Sequence, residues 1–227
     1  SIGKALTNIV WAPLEKGLKS VTLSANWMWP CKNPGEDVRL YKAVEACSDF
    51  AIELGINIPT GKDSLSMKQK YEDEEVFSPG TVIISAAANC CDITKVVEPI
   101  FRNNQDSIYY INFSNLNPKL GGSALAQTLG EIGSEPSDIL DSRYFKKSFD
   151  VLQKLIKEMK ISSGHDISSG GFITTLLEMC FSENNIGAEI DVSFSKEDII
   201  KTLFCENVGI IFQANSSVEK ELLLNNI

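Results

Sequence analysis

Apolar positions in this chain switch between a spacing near 3.6 residues and strict alternation, which predicts helices interleaved with strands. Ile2, Leu6 and Ile9-Val10 share one side of a predicted helix over 1–11. Residues 21–27 alternate like a strand and run into the proline-broken loop Met28-Trp29-Pro30-Cys31-Lys32-Asn33-Pro34-Gly35. Glu36 and Asp37 suit the positive end of a helix dipole and open a long helix to Leu54. Its predicted buried face is Leu40, Ala43, Val44, Cys47, Phe50, Ala51 and Leu54, and Gly55 closes it. A loop carrying Lys62, Asp63 and Ser64 is expected next, then a strand over 65–68. An acidic turn at 71–75 and an apolar strand over 81–88 follow, with a short helix at 92–97.

The second half repeats the alternation. A strand is predicted over 107–113, and Gly121-Gly122-Ser123-Ala124 leads into a helix ending near Gly130. An amphipathic helix over 145–159 turns Phe149, Leu152, Leu155, Ile156 and Met159 inward. After a glycine-rich loop over 164–171 and a helix over 172–181, the pattern predicts a strand at 187–192 and a helix at 196–204. A strand at 208–212 and a last helix at 218–225 complete it. Arg102-Asn103-Asn104-Gln105-Asp106 is the most linker-like stretch. The expected organisation is therefore α/β (α+β) in two subdomains, 1–105 and 106–227.

Composition adds exclusions. A net charge of −9 over 227 residues, with no basic cluster, argues against a nucleic-acid partner. No apolar run approaches a membrane span and no signal peptide is read, so neither a membrane nor export is expected. Six cysteines without C-x-x-C spacing and a single histidine make structural zinc improbable and a reducing cytoplasm the expected compartment. The chain opens Ser1-Ile2-Gly3-Lys4, without methionine and already in a helix-like pattern, so it is expected to be a piece of a longer protein.

The densest chemistry is Gly164-His165-Asp166-Ile167-Ser168-Ser169-Gly170-Gly171, directly before an apolar helix. Free N–H groups and the dipole at such a helix start suit an anion, and an aspartate suits the magnesium of a nucleotide. Helix capping by Ser168 or Ser169 is the plainer alternative. His165 is the one side chain with an ordinary pKa near neutrality. No nucleophile is read beside it, so an orienting role is preferred to acid–base work. Gly61-Lys62-Asp63-Ser64 resembles a P-loop and is rejected as one. Five residues separate Gly55 from Gly61, and Asp63 stands where the hydroxyl belongs. Gly121-Gly122-Ser123-Ala124 is a second glycine-opened helix start, suggestive of an anion and equally of close packing.

Several segments, in order along nearly the whole chain, carry a resemblance. They are Ala5-Leu6-Thr7-Asn8, Leu23-Ser24-Ala25-Asn26-Trp27-Met28, Gly35-Glu36-Asp37 and Gly61-Lys62-Asp63-Ser64-Leu65-Ser66-Met67. Gly121-Gly122-Ser123-Ala124-Leu125-Ala126-Gln127 and His165-Asp166 with Ser168 and Gly170-Gly171 complete the set. On these the chain resembles phosphoribosylformylglycinamidine synthases of the large single-chain form, in the second half of their synthetase core. The resemblance implies a fold similar to aminoimidazole ribonucleotide synthetase, with part of an N-terminal-type subdomain followed by a C-terminal-type one. It implies a ligase of purine biosynthesis that uses ATP and glutamine to turn formylglycinamide ribonucleotide into its amidine. Partners implied are the first synthetase half and a glutaminase domain, and the chain alone is expected to be inactive.

The resemblance also assigns residues. Asn8 and Asp166 are implied as magnesium ligands and Ser168 as a nucleotide contact in an auxiliary ATP/ADP site. Gly61 is implied at ATP and Ser64 at the substrate, and no catalytic residue is assigned. Where the family has a further glutamate ligand, one helical turn before Asn8, this chain has Lys4, which would repel magnesium. One alternative stays open, a structural scaffold module that turns over nothing; against a small-molecule kinase of the same superfold stand the segments 23–28 and 61–67. Self-association is expected through strand edges at 21–27 or 81–88.

Overall fold

The computed structural model describes residues 1–104, 106–182, 186–192 and 198–227. Helix α1 (Ile2–Ile9) precedes strand β1 (Thr22–Met28), helix α2 (Glu36–Leu54) and strand β2 (Asn57–Ser64). Strands β3 (Lys68–Lys70) and β4 (Glu75–Phe77) form a small antiparallel hairpin around the acidic turn, and β5 (Thr81–Ala87) follows. The second half runs β6 (Ser107–Asn112), α3 (Ala124–Thr128), α4 (Ser142–Lys157), β7 (Ile161–Asp166) and α5 (Gly171–Cys180). It ends with α6 (Ile199–Phe204), β8 (Gly209–Ala214) and α7 (Ser217–Leu224).

The main strands form two three-stranded sheets, ordered β2-β1-β5 and β6-β8-β7. In the first, β1 pairs parallel with β2 across the α2 crossover and antiparallel with β5. In the second, central β8 is antiparallel to both neighbours. Every residue of β8 is buried. Its alternating side chains therefore serve two cores. Ile210, Phe212 and Ala214 join Leu6 of α1 and Val10 just after it, Leu54 of α2 and Phe145, Phe149 and Leu152 of α4. Ile211 turns the other way, into a smaller cluster with Phe101, Leu176 and Met179.

Local chemistry explains the helices. Gly35 and Gly55, both left-handed, bracket α2, and Asp141 caps α4 by accepting from the N–H groups of Arg143 and Tyr144. A buried amide ties α1 to α4. Gln153 accepts from the N–H of Leu14 at 2.8 Å and donates to the carbonyls of Val10 at 2.6 Å and Ala12 at 3.0 Å.

Several expectations are corrected. Lys62, Asp63 and Ser64 lie in β2, not in a loop, because Asn26, Trp27 and Met28 pair with them. Leu65 to Met67 accordingly form no strand of their own. Gly164, His165 and Asp166 end strand β7, so only Ile167–Gly170 remain as the loop. Residues 187–192 form no strand; Ile186 and Ile190 instead pack by side chain against the smaller core. The helix expected from 196 is described from Ile199, where Asp198 caps it, and Lys196 lies outside the described residues. Val44 and Met159 are 43% and 69% exposed, not inward. Strand β1 is central, so of the two expected edges only the one at β5 exists, with β2 as the other edge of that sheet. At the start of the linker-like stretch, Arg102 N–H donates to Gln213 Oε1 at 2.7 Å, and Gln213 Nε2 donates to the Arg102 carbonyl at 3.2 Å.

Candidate functional site

Strand β7 delivers Asp166 at its C-terminal end, opposite Ile210 of β8. The following loop turns into α5 through Gly170 and Gly171, with φ of +87° and +75°. A side chain at Gly171 would stand 2.6 Å from the Cys205 carbonyl oxygen, so this turn requires glycine both for its dihedral angles and for its space. Helix α1 packs against β7 from the other side. That approach needs Gly164, where an added Cβ would lie 2.2 Å from the Trp11 ring.

Three elements converge here. From the first turn of α1, the Lys4 ammonium donates to the carbonyl oxygen of Ile167. From the stretch before β8, Oε1 of Glu206 accepts the N–H of Gly170 at 2.9 Å and the N–H of Ala124 at 2.7 Å. Both glycine-opened helix starts singled out in the sequence thus meet one internal carboxylate. Asp166 is buried, and its Oδ1 lies 3.4 Å from His165 Nδ1; the opposite ring nitrogen of His165 is 3.1 Å from Glu178 Oε2.

The electrostatics follow from these contacts. Burial pushes the Lys4 ammonium below its ordinary pKa, and the carboxylates of Glu206 and Asp166 pull against that shift. The Asp166 hydrogen bond raises His165, which burial opposes and Glu178 reinforces. His165 thus stands between two carboxylates, those of Asp166 and Glu178.

The residues implied by the resemblance fall in two places. Asp166 and Ser168 lie at the end of β7 and in the loop after it, with Ser168 exposed; Asn8 is exposed on α1, one turn after Lys4. Gly61 and Ser64 sit on β2 of the other sheet. Gly61 has a packing reason of its own, since a Cβ there would meet the Ala25 carbonyl at 2.1 Å. Magnesium asks for several oxygen donors in near-octahedral array. Among the described residues no group of three or more His, Cys, Asp or Glu is arranged to hold a metal ion, and an ammonium stands at the Ile167 carbonyl. The residues present do not fit magnesium. Sequence reasoning missed Glu206, whose two N–H partners lie 36 and 82 residues away. No local signal marks it, because only tertiary closure brings the two N–H groups to it.

One mixed and one antiparallel three-stranded sheet, a β-strand ending in an aspartate and a glycine-opened helix make up an AIR-synthase-like α/β fold. A family model described as the C-terminal domain of AIR synthase related proteins matches residues 106–224, and the chain belongs to that family. A second, described as the FGAR-AT PurM_N-like domain, matches residues 1–89. Within this class the chain is similar to phosphoribosylformylglycinamidine synthases, as its motifs led one to expect. It is 42% identical over 96% of its length to the probable chloroplastic/mitochondrial enzyme of Arabidopsis thaliana, and spans 15% of that protein. It is 39% identical over 94% of its length to the Homo sapiens enzyme, and spans 16% of it. Among solved structures, Thermotoga maritima PurL complexed with FGAR superposes with a TM-score of 0.62 at 10% identity. That match covers 99% of this chain and 35% of PurL.

Proposed function

We propose that this chain works as part of a phosphoribosylformylglycinamidine synthase, the ATP- and glutamine-dependent ligase of purine biosynthesis that forms an amidine from formylglycinamide ribonucleotide. Its own contribution is an auxiliary adenine-nucleotide site at the loop from Asp166 to Gly171. The observation that carries the reading is the Lys4 ammonium at the Ile167 carbonyl, in the loop that holds the exposed Ser168 hydroxyl and opens onto α5. A cation beside a helix N-terminus favours an anionic ligand. Thermotoga maritima PurL, of the same fold, has been solved with ATP, AMPPCP and ADP, which supports a nucleotide as the ligand class. Ser168, exposed in the loop, is assigned to the nucleotide; Gly61 and Ser64 are assigned to ATP and to substrate.

The partners in this reading are the first synthetase half and the glutaminase domain, with the boundary between this chain's own two subdomains at residues 105–106. The exposed edge strand β5, with Ile83 half exposed, supports self-association of the isolated chain. All six cysteines are free thiols, which supports a reducing compartment, cytosol or organelle interior alike.

Calorimetric titration of ADP into the chain tests the reading. Saturable binding, weakened roughly tenfold by Ser168→Ala, is the expected result, by the loss of one phosphate hydrogen bond. Absence of binding favours a second reading, a scaffold that holds no nucleotide. That reading has its own observation: Glu206 already accepts the Gly170 and Ala124 N–H groups, and the Gly171 N–H goes to the Ser168 carbonyl at 3.1 Å.

A further inference from the structure

The surroundings of the Lys4 ammonium have the composition of a cation site. It donates to the Ile167 carbonyl. Asp166 directly precedes Ile167, and Glu206 is bonded to Gly170 of the same loop, so two carboxylates lie around the ammonium without forming a close ion pair with it. Carbonyl and carboxylate oxygens are hard donors of the kind divalent ions take. Here the positive partner is part of the chain. It is also held firmly, because α1 is anchored on both sides of it. Leu6 and Thr7 are fully buried, a side chain at Gly3 would strike Ile139 and Val208, and one at Gly164 would strike the Trp11 ring. An ammonium so placed brings positive charge to the loop without the cost of capturing an ion, and it repels any second cation.

We propose that Lys4 is the resident cation of this site, so that the site works without a divalent metal and admits one only when the lysine charge is removed. The ligand of the site is taken from the nucleotide reading above; the cation itself is tested without nucleotide. Thermal unfolding of the whole chain in magnesium chloride and in EDTA, for the parent and for Lys4→Gln, is the experiment. The parent is expected to shift by less than about 1 °C. Lys4→Gln is expected to gain roughly 3–6 °C at about ten times its magnesium dissociation constant. Adding Asp166→Asn should remove that gain. An equal rise in the parent, or no rise in Lys4→Gln, overturns the proposal. Should Lys4→Gln be unfolded in EDTA, recovery of its helical circular dichroism by magnesium supports the proposal and failure to recover overturns it.

A second arm titrates ADP into the parent with magnesium and with EDTA. Affinities within about twofold are expected, and a tenfold gain with magnesium overturns the assignment of Lys4. No ADP binding under either condition defeats the nucleotide reading instead, while the melting comparison still decides the role of Lys4.

Discussion

The Glu206 carboxylate and the Gly170 backbone N–H lie 2.9 Å apart, and this bond joins the stretch before β8 to the start of α5. The same oxygen takes the Ala124 N–H at 2.7 Å, so one side chain satisfies donors from two segments that share no secondary structure. Glu206→Ala would orphan both, which costs about 1–3 kcal/mol when donors are left partly buried. Urea unfolding should show that loss. Inorganic phosphate should recover part of it, and a variant as stable as the parent would mean water replaces the carboxylate without cost.

Gln153 performs the equivalent task inside the main core. It is 3% exposed and exchanges three hydrogen bonds with Val10, Ala12 and Leu14, where the chain leaves α1. Gln153→Leu keeps the volume and leaves one N–H and two carbonyls without partners. We expect a loss of about 2–3 kcal/mol in chemical denaturation, well above the cost of a volume-conserving apolar swap. A loss under about 1 kcal/mol would show that the segment 10–14 finds other partners.

What the sequence made legible divides by the range of the forces involved. Helices α2 and α4 are readable because their stripes and caps are local: Gly35 and Gly55 bracket one, and Asp141 starts the other. Strand β2 is not, because Thr60 to Ser64 become extended only by pairing with β1, more than thirty residues earlier. The polar run Gly61-Lys62-Asp63-Ser64 looks like a loop for the same reason: it lies on an edge strand and is largely exposed. At the site, Asp166, Lys4 and the glycine pair stood out by residue type. Glu206 did not, because its role depends on tertiary closure alone.

The contact between α1 and β7 depends on the absence of a side chain at residue 164. Gly164→Ala would place a methyl 2.2 Å from Cζ3 of Trp11, an impossible approach that the ring must yield to. Overpacking of this kind costs about 1–3 kcal/mol. It should also disturb Lys4, since the helix that carries it rests on the same strand. A lowered melting temperature with altered tryptophan fluorescence is expected. Trp11→Leu in the same chain should relieve part of the loss, because the smaller side chain leaves room for the methyl.

His165 makes the site sensitive to pH in a direction that follows from its neighbours. Asp166 at 3.4 Å and Glu178 at 3.1 Å favour the charged ring, and they outweigh the opposing effect of burial, so its folded pKa stands above the ordinary 6.5. A histidine raised on folding stabilises the folded state fully below its unfolded pKa. That contribution is lost as pH rises through the folded value. The parent should therefore hold its largest stability advantage over His165→Gln near pH 6 and lose it progressively toward pH 9. Equilibrium unfolding across that range reads the difference directly. Glu178→Gln should reduce the pH dependence while leaving the Asp166 contact in place, since it removes one of the two carboxylates and not the other. A parent-minus-variant difference that stays flat from pH 6 to pH 9 would show that the ring is never charged in the folded chain, and that His165 holds Asp166 as a neutral donor.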